Sequence, residues 1–467
     1  MVRVHAYADD ALGDHDAVGL AEAIARRRVS IAEVVEAGIA RTRRVAPQLN
    51  ALAAERFDRA RGEAVDPRGG FFAGIPTFVK DNSDLTGLPT MQGTDAFAPV
   101  PAKRDGDFAR MFLATGVIAL GKTQLSEYGF NAAAEHPRLG PVRSPWSTDH
   151  TAGASSSGSA ALVAAGAVPL AHANDGGGSI RIPAAVNGLV GLKPTRGRLP
   201  QDRMLRQMPV RLVADGVVTR SVRDSAAFLR EAEKVYRELR LAPVGDVTRA
   251  SRARRTVAVV TAGIDVRATP EVEALTMQTA ALLESLGHRV ELIDHPLPRR
   301  FKDDFLVYWG MLASAIVASG RLEHGRSWDA SRLDGMTHGL DRYCRRNLHH
   351  LPGAIARLRR CGRLAAELHS TYDVFLTPTL ACETPRVGWL DPMQDYEAVM
   401  DRLLQWVAFT PWQNATGAPA ISLPVATTAA GLPQGMMLAA DVGHESLLLE
   451  LAFELEEARP WPLLRDA

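Results

Sequence analysis

Cysteine is nearly absent: Cys344, Cys361 and Cys382 are the only three in a chain of 467 residues. Their odd number and the lack of any CxxC pair argue against a disulfide framework and against a zinc knuckle. Thirteen histidines are scattered, and His444-Glu445 lacks the second histidine of an HExxH site, so no metal is called for. Long apolar runs are missing as well. The stretch 160–173 is too short to span a bilayer, and the opening MVRVHAYADDALGDHDAVG is too charged for a signal-peptide core. No membrane partner is expected, and the expected location is cytoplasmic. A net charge of +1 exerts no general pull on nucleic acid, and the arginine run at 249–255 has no interleaved aromatics. Lysine is the other scarcity, with six against 48 arginines. Arginine stays protonated, whereas a buried lysine can lose its proton and act as a base. Any lysine kept beside apolar residues is therefore a candidate for chemistry.

What is present is ordinary globular composition, 46% apolar and 23% charged. Residues 16–46 read as helices, with Ser30 and Glu33 forming a capping box for a helix that begins near Ile31. An apolar strand at 74–80 ends in Lys80, a helix suits 106–114, and a buried strand suits 116–121. An amphipathic helix follows at 221–238. The strand at 257–261 gives way at Thr269-Pro270-Glu271 to a helix that Gly287 stops, and a strand resumes at 289–293. Residues 300–370 are mostly helical and carry Tyr308, Trp309 and Met311 as pocket-wall candidates. A strand at 372–376, a loop and strand at 414–424 and a helix at 445–457 complete the chain. This alternation predicts a layered α/β protein whose helices cover a largely parallel or mixed sheet. No repeat or low-complexity linker divides it, so one continuous domain over 1–467 is expected.

The stretch TAGASSSGSAALVAAGAVPLAHANDGGGSIRIPAAVNGLVGLKPTRGRLP, residues 151–200, carries the chemistry. Gly176, Gly177 and Gly178 place bare backbone N–H groups directly before Ser179, because glycine reaches positive φ without a Cβ clash. A hydroxyl beside such a nest offers a nucleophile and a socket for an oxyanion. The serine needs a base, and neither a G-x-S-x-G elbow nor an S-x-x-K motif is present to supply one. Lys80, with one of Ser155, Ser156 and Ser157, makes a coherent relay to Ser179. The glycine- and proline-rich segment 126–150 reads as loops around a site, with Tyr128, Phe130 and Asn131 as candidates to face a substrate and core packing an equal alternative for the two aromatics. One competing motif is formal. Residues 116–123 satisfy G-x-x-x-x-G-K-S/T, but their interior Val-Ile-Ala-Leu is itself the expected strand, which argues against a phosphate-binding loop and a nucleotide hydrolase.

Several motifs together resemble the amidase signature family. They are the strand ending in Lys80, the pair Ser155-Ser156, the run Gly177-Gly178-Ser179-Ile180-Arg181-Ile182-Pro183, and Gly191-Leu192-Lys193-Pro194-Thr195. Gly121-Lys122-Thr123 and Gly417-x-Pro419-Ala420-x-Ser422-x-Pro424 fit the same pattern. The resemblance runs from about residue 15 to residue 458, and 75 residues separate Lys80 from Ser155 and 24 separate Ser155 from Ser179, both typical spacings of that family. It implies an α/β/α domain built on a large mixed sheet, with a signature core at about 70–220 and a segment 255–460 completing sheet and pocket. It also implies an amidohydrolase acting through Lys80, Ser155 and Ser179, with Gly176, Gly177 and Gly178 as oxyanion donors. Phe130 and Asn131 are the substrate contacts, no cofactor or metal is required, and many relatives form homodimers. A second reading is an amidotransferase-type subunit that works with partner proteins. Three positions depart from the pattern. Ala154 and Ser157 stand where the family usually has glycine, the first before a cis-linked serine, and Asn174-Asp175-Gly176 replaces a common Thr-Asp-Thr. Asp175 and Arg181 are expected to pair and brace the nucleophile loop. The form NDGGGS looks like a branch that includes cyclic-amide and oligoamide hydrolases.

Overall fold

The computed structural model describes residues 2–466; Met1 and Ala467 of the expected 1–467 span lie outside the described residues. Strands β1 (Leu52–Glu55), β2 (Pro76–Lys80) and β3 (Ile118–Thr123) form a small sheet in the order β1-β3-β2. The central sheet has eight strands: β4 (Leu170–Asp175), β5 (Val190–Lys193), β6 (Ala214–Thr219), β7 (Thr256–Val259), β8 (Arg289–Leu292), β9 (Val374–Pro378), β10 (Ala420–Thr427) and β11 (Pro433–Ala440). Their order is β8-β7-β9-β11-β10-β5-β6-β4. β7 pairs in parallel with β8 and β9, and the remaining ladders are antiparallel, so the sheet is mixed.

Helices cover both faces, and the strand sequences show why. Side chains alternate across a strand, so a strand buried on both sides must be apolar throughout. Val257 and Val259 join one core cluster while Ala258 and Val260 join another on the opposite face. Val374 and Leu376 divide from Phe375 in the same way, and Met436 and Leu438 from Met437 and Ala439. The small residues of 160–173 serve close packing. The helix Ser157–Ala164 is wholly buried against β4 and the helix Ile31–Leu49, where larger side chains would not fit.

Local signals place the elements well. Ser30 and Glu33 make the reciprocal capping box, and Thr269 caps the helix Pro270–Ser285, which stops before Gly287 at φ +94°. One segment differs from expectation: residues 414–416, expected as loop, belong to a short helix, Pro411–Thr416, ended by Gly417 at φ +84°. The phosphate-loop motif is strand, as expected. Lys122 sits in β3 with its Nζ 2.7 Å from Asp81 Oδ1 and bonded to Pro89 O and Thr90 Oγ1, so it has no donor left to cradle a phosphate. The three cysteines are free thiols, two of them buried.

Among the described residues, one helical window, Phe301–Ser327, is long and apolar enough to cross a membrane by length and composition, with a mean hydropathy of 1.4. Part of that apolarity is packed, with 28% of the window buried. Tyr308, Trp309, Leu312 and Ala313 pack with residues of the helices Gly335–Arg346 and Leu351–His369 and with the cavity wall.

Candidate active site

The small sheet lies against the central one through β2 and β4, where Thr77 Oγ1 donates to Leu170 O at 2.9 Å. That contact brings the C-terminal end of β2 beside the end of β4, and with it Lys80 beside residues 174–179. Lys80 is completely buried. Its backbone N–H donates to His172 Nδ1 at 3.2 Å, and its Nζ lies 2.6 Å from Ser155 Oγ and 2.7 Å from Asn174 Oδ1. Burial pushes the Lys80 ammonium down to about 7, against the opposing pull of Asp215 and Asp175. His172 accepts at Nδ1, so in its neutral form the ring proton sits on Nε2 and points at Asp215 Oδ1, 3.2 Å away.

Each of the three adjacent serines has a different environment. Ser155 faces Lys80, and the peptide bond joining it to Ala154 is cis. Ser156 Oγ donates to Ser179 O at 2.6 Å, which ties the serine cluster to the glycine nest. Ser157 Oγ is turned back onto Gly153 O, so the third hydroxyl is occupied elsewhere. Ser179 Oγ makes no hydrogen bond to a protein group among the described residues, and the residue lines an apolar cavity.

The glycine nest is only partly free. Gly178 N–H donates to Asp175 Oδ1 at 2.7 Å, which corrects its expected place among the oxyanion donors, because that hydrogen is already held by a carboxylate. The N–H groups of Gly176, Gly177 and Ser179 have no protein acceptor among the described residues. Gly178 itself is obligatory. Its φ is +139°, and a Cβ there would lie 2.4 Å from Thr410 Oγ1. Asp175 and Arg181 form the expected pair, at 2.8 and 2.9 Å. Burial raises the Asp175 carboxyl, but the Arg181 guanidinium outweighs it and holds the group down at about 2.

A cavity of about 110 Å³ opens over Ser179, lined by Phe130, Asn131, Phe305 and Trp309 among others. Phe130 meets Trp309 edge to face at 5.6 Å, and Phe305 stacks on Trp309 at 5.6 Å. Asn131 Nδ2 donates to Leu390 O, while its buried Oδ1 has no partner among the described residues. Of the other helical candidates, Tyr308 is spent on the backbone of Val210, and Met311 is not among the described residues that line this cavity. Sequence reading singled out Asn174 only as a departure from a family pattern. Its position one residue before Asp175, where the side chain reaches Lys80, was the available signal. His172 and Asp215 gave none, since they become neighbours only through the β4–β6 pairing. Among the described residues, no group of three or more His, Cys, Asp and Glu is placed to hold a metal ion.

A mixed α/β sheet that gathers a buried lysine, serine hydroxyls and a glycine nest around one apolar cavity has the composition of an acyl-group hydrolase. Residues 33–449 match the Amidase family, and the chain belongs to it as an amidase signature enzyme that hydrolyses amide C–N bonds. A Mycobacterium leprae protein provisionally named amidase AmiC is 61% identical over 462 residues, 99% of this chain and 98% of that one. The solved 6-aminohexanoate cyclic dimer hydrolase superposes with a TM-score of 0.88 at 30% identity, covering 97% of this chain and 98% of its own. A bacterial aryl acylamidase superposes with a TM-score of 0.86 at 26% identity, over 97% and 98%.

Proposed function

We infer that Ser179 is the nucleophile of a Lys80–Ser155–Ser179 relay that cleaves small-molecule amides through an acyl-enzyme. The observation that carries the reading is the 2.6 Å approach of a fully buried lysine to Ser155 beside an unengaged Ser179. A neutral amine has two N–H donors and one lone pair. Asn174 Oδ1 can only accept, so it takes an N–H and leaves the lone pair for the Ser155 hydroxyl. Ser155 gives its own proton to that lone pair and draws the Ser179 proton as Oγ attacks the carbonyl carbon, and the N–H groups of Gly176, Gly177 and Ser179 receive the oxyanion. Collapse breaks the C–N bond while Ser155 passes a proton to the leaving amine and regains one from Lys80. Water reverses the relay, releasing carboxylate and freeing Ser179. No observation favours the amidotransferase-subunit reading.

The test is covalent labelling by an alkyl fluorophosphonate with the modified peptide identified by mass spectrometry. The label is expected on Ser179, absent in Ser179→Ala and slower in Lys80→Ala; unchanged labelling of Ser179→Ala would overturn the assignment. Asn174 offers a second check. In Asn174→Asp a carboxylate replaces the amide oxygen beside Nζ and favours the charged lysine, raising its pKa. The rise of kcat/KM with pH is expected to move upward by about one pH unit or more, as an opposite charge at this distance typically does. An unmoved profile would separate Asn174 from the base.

A further inference from the structure

Lys302 is the one charged side chain among the described residues that line the cavity over Ser179; carbon dominates the rest of the wall. It lies in the first turn of the helix Phe301–His324, and Phe305 and Trp309 follow at spacings that put all three on one face. The inner end of that face is fixed by the glycine nest. A Trp309 ring carbon lies 3.2 Å from where a Gly176 Cβ would stand, and a Phe305 carbon 3.6 Å from the same point on Gly177. At 1.5 Å per residue Lys302 is about 4.5 Å beyond Phe305 along the helix axis, and about 10 Å beyond Trp309. That distance equals roughly three extended peptide units.

The present partner of Lys302 is weakly held. Its Nζ is 2.7 Å from Asp265 Oδ2, with side chains 31% and 70% exposed, and Asp265 sits in the turn between Ala262–Gly263 and Val266–Arg267. Exposed pairs of this kind contribute little and exchange readily. Arg299 acts on the same carboxylate, so the rim around Lys302 carries a further cationic group. An apolar wall selects for an apolar chain, and an isolated ammonium on it selects for what can take a charge-assisted hydrogen bond.

We propose that Lys302 reads an anionic group, in the simplest case a carboxylate, at the far end of an otherwise apolar amide bound at Ser179. The preferred substrates are then amides of carboxylate-terminated chains, with the acid two to three peptide lengths from the scissile carbonyl. This specificity rests on Ser179 being the nucleophile.

Two alkyl fluorophosphonates of equal length test it, one ending in a carboxylate and the other in the methyl ester, each with a chain spanning about 10 Å. The wild-type enzyme is expected to react faster with the acid. The acid-to-ester ratio of inactivation rates is expected to fall about tenfold in Lys302→Met, the scale of one charge-assisted hydrogen bond, and to rise in Asp265→Asn. Circular dichroism checks that each variant is folded, and Lys302→Gln replaces the methionine variant if that one is not. A ratio unchanged by removing the ammonium, with Ser179 labelled by both probes, overturns the proposal. Failure of both probes to label Ser179 in the wild type instead overturns the assignment of the nucleophile, and this inference with it.

Discussion

Replacing Lys80 by methionine is expected to cut kcat/KM for amide hydrolysis about a thousandfold or more, the span usual for loss of a positioned general base. The same change is expected to make the folded chain more stable at neutral pH. Both effects follow from burying an amine with no carboxylate in contact. In the unfolded chain lysine titrates near 10.5, whereas burial brings Lys80 in the fold down to about 7. Between those values the unfolded state holds the extra proton, so stability rises with pH across that window and the penalty is full below it. Methionine keeps most of the volume and removes the penalty, which is on the order of a few kcal/mol. The chemistry has the opposite requirement. Only the unprotonated amine accepts a proton from Ser155, so wild-type kcat/KM is expected to rise as pH passes about 7 and then level off. A pH–rate profile together with denaturant unfolding of both proteins at neutral pH checks the pair of effects. A wild-type profile flat across that range, or full activity in Lys80→Met, would exclude Lys80 as the base.

Lys80 also shows what the sequence made legible. A lysine ending an apolar strand is visible locally, as are the cap at Ser30, the helix start at Thr269-Pro270 and the apolar strands that become β7 and β9. These depend on neighbours a few residues away. The glycine nest was legible for the same reason, since three glycines before a serine can hardly serve regular structure. Long-range neighbours were not. Nothing local says that Gly178 N–H is taken by Asp175, that Asn174 reaches Lys80, or that Lys302 brings a charge to the apolar cavity wall. Each depends on which elements pack together, and 74–80, 151–200 and 301–324 are brought to one place only by the small sheet docking on β4 and the long helix crossing the nest. The helix Pro411–Thr416 illustrates the same limit. Asn414 and Gln413 look like loop residues in sequence, yet they are held helical by bonds to Arg181 and Asp175.

Arg181→Met is expected to destabilise the fold by about 3–5 kcal/mol, the usual loss when one partner of a buried ion pair is removed. Asp175 and Arg181 are both fully buried. Arg181 also donates to Asn414 Oδ1 at 2.8 Å and to Gln413 Oε1 at 3.0 Å. Asp175 accepts from Gly178 N, Ile180 N and Asn414 Nδ2, so it holds the backbone on both sides of Ser179. Without the guanidinium the carboxylate is left charged in a dry site, and its cheapest escape is to take a proton or to release the loop. Either response loosens Gly178, and labelling of Ser179 is expected to slow together with the loss of stability. The acid behaviour has a defined sign. The folded pKa of Asp175 is held at about 2, below its ordinary value of 3.8, so the pair's contribution is present above the ordinary value and is lost as pH falls through about 2. Asp175→Asn separates bracing from chemistry, since the amide can still accept from Gly178 but carries no charge. Unfolding free energy and labelling rate are expected to fall together in both variants, with the double variant less destabilised than the sum of the singles. If Asp175→Asn instead kept full stability and lost all acylation, Asp175 would belong to the reaction itself rather than to the support of the loop that carries Ser179.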